Sequence, residues 1–474
     1  MNLLQVKGRD RKGMKALIIA AGRGSRLKEL SGDEPKPLIR LLGLSLIERV
    51  ILTSKLAGIN EFFIVIGYLG DRIKEKLGNG DRYGVKITYI KNEEWKKGNG
   101  ISVFKARGFL KENFILLMGD HIFDARILTE LVEYGMKTSI VLAVDRRKPL
   151  SSDTKVFERD GKIIDIGKNI KNSNCIDTGI LLCSPRIFSY LEEAIKEGKT
   201  ELADGVAKAA KNRDAEIFDI TQIDSYVSKM RKYIKPWWID VDTEYDLKKA
   251  RWVIIENSSK GASDFLARYV HKPIENKLVG FISNFDITPN KLTIIVNIFA
   301  YIITVLFFLG YLLPASILTF VVGVLDGVDG KLARVKLMTS KLGSIEHSFD
   351  LLFEFSWFIA LALFLFNSTN DALPLILCMF IILFISFYRH VYDQFRRAMG
   401  RSLDDSGDFE RIFRRIAGRR NLYNIPILIS ILLGVPLYSL IFILFHSGIT
   451  AVVYASRAIK HMYDADKIAI SAIR

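Results

Sequence analysis

Between residues 292 and 454 the chain is a series of apolar segments joined by short turns, and this pattern admits few folds. Lipid offers no partner to a backbone N–H or C=O, so each segment must close its own hydrogen bonds as a helix. A bilayer core takes about 20 helical residues to cross. The apolar stretches are residues 292–311, 314–325, 351–366 and 373–388, then 422–454 with breaks at Gly434 and Pro436. Reading the breaks as turns predicts six spans. Loop charge gives their orientation. The first, third and fifth turns are nearly without basic residues. The second loop carries Lys331, Arg334, Lys336 and Lys341, and the fourth carries Arg389, Arg396, Arg397, Arg401, Arg411, Arg414, Arg415, Arg419 and Arg420. The tail adds Arg457, Lys460 and Lys467. By the positive-inside tendency, both termini are expected in the cytoplasm of a multi-pass cell-membrane protein.

The first half reads differently. From Lys15 to Lys249 short apolar runs (ALIIAAG, FFIVIGY, FILLMGD, SIVLAV) alternate with amphipathic stretches. That alternation predicts a mainly parallel α/β sheet with ligands at the carboxyl ends of its strands. The expected organisation is a soluble domain over residues 1–255, a linker and juxtamembrane segment over 256–290, and a transmembrane domain over 291–474. A net charge of +16 comes without zinc spacing or any nucleic-acid-binding motif, so the expected partners are a bilayer surface and phosphorylated substrates, not nucleic acid. Cys175, Cys183 and Cys378 form no CxxC, which argues against a disulfide framework or structural zinc. The basic N-terminus runs into an apolar stretch too short for a signal peptide, so the soluble half is expected in the cytoplasm. Scarce glutamine beside abundant Lys and Glu hints at a heat-adapted source.

Two strand ends in the soluble half carry candidate chemistry. After ALII comes Ala20-Ala21-Gly22-Arg23-Gly24-Ser25-Arg26-Leu27, followed by Pro35-Lys36-Pro37-Leu38. Glycines let the main chain approach phosphates, while Arg26 and Lys36 offer charge to a triphosphate. The absence of GxxxxGK[ST] excludes a P-loop. The second site is Leu117-Met118-Gly119-Asp120-His121, matched downstream by Trp237-Trp238-Ile239-Asp240-Val241-Asp242-Thr243. Two carboxylates at neighbouring strand ends can share a divalent ion that stabilises an in-line displacement at phosphorus. A strand ending on Asp is also common without such a role.

Taken together, AAGRGSRL, PKPL, NEEWKKGNGIS, LLMGDHIFD and WWIDVDT resemble the sugar-phosphate nucleotidyltransferase family, most closely its inositol-1-phosphate cytidylyltransferase members. The resemblance covers nearly half the chain and implies a Rossmann-like sheet, on which a polyol phosphate attacks the α-phosphate of an NTP. It implies that Ala21, Gly22, Gly24, Ser25 and Arg26 hold the nucleotide and that Lys36 steadies the transition state. Asp120 and Asp240 would hold Mg²⁺ (or Mn²⁺), and Lys168 would meet the acceptor phosphate. Asn99-Gly100 replaces a small-residue loop of the family near the base, which leaves the choice of base open.

In the membrane half, Asp326 and Asp329 lie three apart at the end of the second apolar segment, and Glu346 and Asp350 lie four apart at the start of the third. Ionised groups beside hydrocarbon cost at least a few kcal/mol, so they need a partner, a metal or a task. Two such pairs facing each other form an oxygen cage for one or two divalent ions. DGVDGKLAR followed by SKLG and an acid pair resembles the CDP-alcohol phosphotransferase family, over roughly residues 264–454. That signature implies nucleotide contacts from Asp326, Gly330, Ala333, Arg334 and Gly343, metal ligands at Asp326, Asp329, Glu346 and Asp350, and Asp350 as the base. Strict family spacing falls on His347 and Leu351, so the acid pair of EHSFD stands one residue early, a rotation of about 100° on a helix. The second loop or the helix start must absorb it.

A domain that makes a CDP-alcohol fused to one that consumes it implies two consecutive steps. CTP and inositol 1-phosphate would give CDP-inositol, whose phosphoinositol unit would pass to a second inositol phosphate with release of CMP. Two rivals stand beside this reading: a lipid as final acceptor, and a membrane-anchored cytidylyltransferase with an inactive membrane half. The resemblance also implies a homodimer.

Overall fold

In the computed structural model the described residues are 13–24, 34–224, 226–228, 232–259, 265–338 and 345–473. Ser25, Arg26 and Gly343 lie outside them, and of Glu346 and His347 only the backbone is described. The chain divides into two compact units, Met1–Ser225 with Ile234–Ile254, and Tyr226–Tyr233 with Ile255–Arg474.

The strands are β1 (Lys15–Ala20), β2 (Arg40–Leu41), β3 (Leu44–Ser45), β4 (Glu61–Ile66), β5 (Lys86–Lys91), β6 (Phe114–Met118), β7 (His121–Phe123) and β8 (Ile140–Asp145). They continue with β9 (Lys155–Arg159), β10 (Lys162–Gly167), β11 (Cys175–Cys183), β12 (Ala215–Asp219), β13 (Tyr226–Ser228), β14 (Lys232–Tyr233) and β15 (Trp238–Asp240). The helices among them are α1 (Leu46–Leu56), α2 (Gly70–Leu77), α3 (Asn99–Phe104), α4 (Ala125–Tyr134), α5 (Ile187–Lys196), α6 (Leu202–Lys211) and α7 (Glu244–Asn257).

The main sheet has the order β5-β4-β1-β6-β11-β8-β12-β10-β9. Side chains alternate across it. Ala16, Ile18 and Ala20 of β1 enter one core with Ile47 of α1 and Leu128 of α4, while Leu17 enters the other with Leu191 of α5 and Val206 of α6. Helices therefore cover both faces. α1 starts where it does because Ser45 and Glu48 form a reciprocal capping box.

The expectation of a mainly parallel sheet holds for β5-β4-β1-β6 and for the β8–β12 pair. β5, β4, β1 and β6 run parallel, but β11 is antiparallel to both β6 and β8, and β10 is antiparallel to β12 and β9. A strand buried on both faces, such as CIDTGILLC, has the same apolar run in either direction.

In the second unit a π-turn over Ala267–His271 leads into α8 (Lys272–Ile282), so the segment expected as a linker is partly helical. Then come α9 (Pro289–Phe308), α10 (Leu312–Val335), α11 (Glu346–Thr369), α12 (Leu373–Met399), α13 (Asp408–Phe413), α14 (Arg420–Leu432) and α15 (Leu437–Ile473). α9 opens on Pro289, with the Thr288 side chain accepting from Lys291 N, a paired start signal. Among the described residues five helices, α9 to α12 and α15, are long and apolar enough to cross a membrane. At the position expected for another span, α14 has 13 residues, about 20 Å, which is short of a bilayer core. Ile294, Ile298, Ile302 and Val305 of α9 are exposed, as on a helix that meets lipid.

Candidate active sites

In the first unit, residues 21–24 leave the carboxyl end of β1 as an irregular turn. Gly24 has φ +65°, and a Cβ there would fall 2.3 Å from Lys36 Cβ, so the turn and the lysine stem fit only without a side chain. Lys36 itself starts a short 3₁₀ turn between Pro35 and Pro37, which fixes its backbone and buries it. Its ammonium lies 2.6 Å from Asp120 Oδ2, 2.7 Å from Asp242 Oδ1 and 3.8 Å from Asp240 Oδ1. Burial works against that charge, but the Asp120, Asp240 and Asp242 carboxylates more than offset it and raise the lysine above its ordinary range.

The acids are brought together by a two-stranded ribbon. β7 and β15 pair antiparallel with Asp240 opposite His121, and Val241 N donates to the Asp120 carbonyl at 3.3 Å. Ligand atoms of Asp120, His121 and Asp240 all lie within 4.8 Å of one another. His121 Nε2 is 3.4 Å from Asp240 Oδ1 and 3.8 Å from Asp120 Oδ1. Burial opposes a charge on this imidazole, yet Asp240 and then Asp120 push its pKa up to about 10. Burial also opposes ionisation of Asp120, but Lys36 and His121 hold its carboxyl below the usual range.

Sequence reading pointed to Lys36, Asp120 and Asp240, which the fold gathers, and passed over Asp242 and His121 as participants. A signal for Asp242 was present: in extended chain, residues two apart share a side, and IDVDT puts two acids at that spacing. Ala21 and Gly22 border the same turn, where the Ala21 carbonyl accepts from Tyr68 N at 3.0 Å. The Tyr68 and Trp95 rings lie 5.2 Å apart with the Arg23 guanidinium over Tyr68, an aromatic wall next to the glycine turn. Asn99 accepts from Leu202 N at 2.8 Å, so the GNG segment is tied to the start of α6. Lys168 is exposed just after β10. The register Gly167↔Lys155 and Lys155↔Ile176 puts it two strands across from the Asp177–Thr178 stretch of β11 that borders His121.

In the second unit both acids lie within α10, as their three-residue spacing implies. Asp326 is 2.6 Å from Arg420 of α14, and Asp329 accepts from Thr293 of α9 at 2.6 Å. The two carboxylates thus engage different neighbouring helices. Asp350 and Glu354 lie one turn apart on α11. Arg420 also stacks over Phe353, 4.8 Å from the ring centre. Glu354 pairs with Arg389 of α12. Gly327 gives room to α8, since a Cβ there would be 2.3 Å from Glu275 Oε1, and Glu275 pairs with Lys331 at 2.8 Å. Arg334, expected to meet phosphate, turns its Nε to the Ser258 carbonyl. Gly330 and Ala333 follow on α10 beside these groups. Thr293, Glu275, Lys331 and Glu354 are contributions that the spacing argument did not reach.

Residues 15–252 match the nucleotidyl transferase family, and residues 286–404 match the CDP-alcohol phosphatidyltransferase family. Over 424 residues the chain is 29% identical to the bifunctional IPC transferase and DIPP synthase of Aquifex aeolicus, covering 88% of this chain and 92% of that one. It is 30% identical over 336 residues to the protein so named in Thermococcus kodakarensis, covering 69% of this chain and 71% of the other. Among solved structures it is similar to the inositol-1-phosphate CTP transferase from T. maritima, with 25% identity and a TM-score of 0.44, covering 52% of this chain and 98% of that chain. By its first half the chain belongs to the nucleotidyl transferase family, and across both units it belongs with the bifunctional IPC transferase and DIPP synthases.

Proposed function

We propose that the first unit converts CTP and inositol 1-phosphate to CDP-inositol and pyrophosphate, and that the second transfers phosphoinositol from CDP-inositol to another inositol phosphate with release of CMP. In the first step a phosphate oxygen of inositol 1-phosphate attacks the α-phosphorus of CTP, and the bond to the departing pyrophosphate breaks. In the second a hydroxyl attacks the phosphorus that bears inositol, and CMP leaves. The names of the relatives support this pairing of steps.

The observation that carries the reading is Lys36 held among Asp120, Asp240 and Asp242 at the mouth of the glycine turn. In this proposal Ala21, Gly22, Gly24, Ser25 and Arg26 cradle the triphosphate, Lys36 turns to the α-phosphate as charge builds there, and Lys168 receives the acceptor phosphate. Asp120 and Asp240 would hold Mg²⁺ or Mn²⁺. The fit is supported by ligand atoms within 4.8 Å and by the buried Asp240 Oδ1, from which His121 and Lys36 stand 3.4 and 3.8 Å away. Such an ion supplies charge to the transferring phosphoryl group.

For the second step, Asp326, Asp329 and Glu346 would hold metal, and Asp350 would take the proton of the attacking hydroxyl. Gly330, Ala333, Arg334 and Gly343 would border the nucleotide. The Asp326–Arg420 pair at 2.6 Å, with Phe353 of α11 under the same guanidinium, supports a working site, and that arginine suits a phosphorylated acceptor. We also propose six spans, with α14 as a short sixth, because an even number keeps the basic loops and both termini on the cytoplasmic side. A homodimer completes the reading.

The test is to give purified full-length protein CTP, inositol 1-phosphate and Mg²⁺, and to follow pyrophosphate and CMP separately. Both products are expected. Pyrophosphate without CMP removes the second step as written, and CMP only when a lipid alcohol is added makes the acceptor a lipid.

A further inference from the structure

We infer that His121 is a third metal ligand of the first unit's site, binding through Nε2 beside Asp120 and Asp240. The inference rests on the reading that those two acids hold a divalent ion, and it adds a nitrogen donor to an otherwise all-oxygen set. Its starting point is the tautomer. His121 Nδ1 lies 2.8 Å from the Thr178 carbonyl oxygen, which can only accept, so Nδ1 carries the hydrogen. With Nδ1 so occupied, Nε2 is the nitrogen left to face the acids, 3.4 Å from Asp240 Oδ1 and 3.8 Å from Asp120 Oδ1, and it binds an ion once its proton is displaced. An imidazole fixed by a backbone carbonyl at one nitrogen and facing carboxylates with the other is the arrangement that orients metal-bound histidines.

The fold makes a specific provision for that bond. Gly179 has φ +73°, and a Cβ there would lie 2.5 Å from His121 Nδ1. The pairing of β11 with β8 shifts register between Asp177 and Leu181. This bend turns the Thr178 carbonyl toward the ring, and only glycine leaves space for it. The register of β7 and β15 then puts Asp240 opposite His121.

Two carboxylates and an imidazole favour Mn²⁺ or Co²⁺ over Mg²⁺, since nitrogen donors raise affinity along the first transition series. The rival role is a charged imidazolium that only braces Asp240. Nitrogen coupling separates the two, because a bracing group has no bond to the ion.

The experiment is Mn²⁺ binding to the full chain in nanodiscs, read by pulsed electron paramagnetic resonance. Wild type is expected to show ¹⁴N coupling from a bound imidazole. His347→Gln should keep it, which removes the histidine beside Glu346 as its source. His121→Gln and His121→Asn should lose it, and their Mn²⁺ affinity should fall at least about 10-fold. Wild type without nitrogen coupling, or coupling unchanged in the His121 variants, overturns the inference while leaving Asp120 and Asp240 as ligands. Mn²⁺ affinity that does not respond to Asp120→Asn overturns the underlying reading instead. If neither His121 variant folds, wild-type coupling must persist in Asp329→Asn and vanish in Asp120→Asn; any other result rejects the assignment.

Discussion

Asp242 holds the Lys36 ammonium at 2.7 Å, two residues beyond the Asp240 that stands opposite His121. The lysine is therefore aimed by an acid outside the Asp120, His121 and Asp240 cluster. On the proposed mechanism Asp242 keeps Lys36 from collapsing onto Asp120 alone.

Asp242→Asn should accordingly lower kcat of the first step by about 10- to 100-fold with a smaller change in KM for CTP, since misplacing a reacting group by about 1 Å costs that much. CMP release from supplied CDP-inositol should not change. Initial rates of pyrophosphate and CMP release check both.

Lys36→Ala should remove at least about 100-fold of the first activity, the scale of losing one transition-state charge partner, and spare transfer from CDP-inositol. Asp329→Asn should do the opposite. Loss of both steps from either substitution would count against separable sites.

Arg420→Ala removes the cation that stands 2.6 Å from Asp326. Removing one partner of a partly buried charged pair costs about 1–3 kcal/mol, so the thermal midpoint should fall along with transfer activity. Asp326→Asn combined with Arg420→Ala should recover part of the midpoint but none of the transfer. Melting in nanodiscs and CMP assays distinguish the two effects.

Glu410 of α13 accepts from His461 at 2.8 Å and pairs with Arg457. Burial alone would raise its carboxyl, but Arg457 and His461 bring it down to about 2 from an ordinary 4.5. A lowered folded-state pKa means stability present above pH 4.5 and lost as pH falls toward 2. Thermal midpoints should decline across that window in wild type, and less steeply in Glu410→Gln.

Much of this was legible without coordinates, and the limits have physical causes. Long apolar runs announce membrane helices because their backbone has no alternative partner. A run of helical length says less at α14, where Pro426 lies within the helix and Gly434 and Pro436 follow it within four residues. The glycine turn, PKPL and both Asp-bearing strand ends could be read as phosphate chemistry because few residue types suit it. That β11 inserts antiparallel could not be read, because a doubly buried strand carries no mark of direction.

The amino-acid order alone determined the division into a sheet-forming half and a membrane half, and it marked Lys36, Asp120, Asp240, Asp326, Asp329, Glu346 and Asp350 as the charged groups needing a purpose. Only the tertiary structure decided who meets whom: Lys36 with Asp242 across 206 positions, Asp326 with Arg420 across 94, and His121 with the Thr178 carbonyl across 57. Periodicity and motif are local properties of a chain. The partners of a charge are set by strand register and helix packing, which bring together residues whose separation in sequence carries no signal of their meeting.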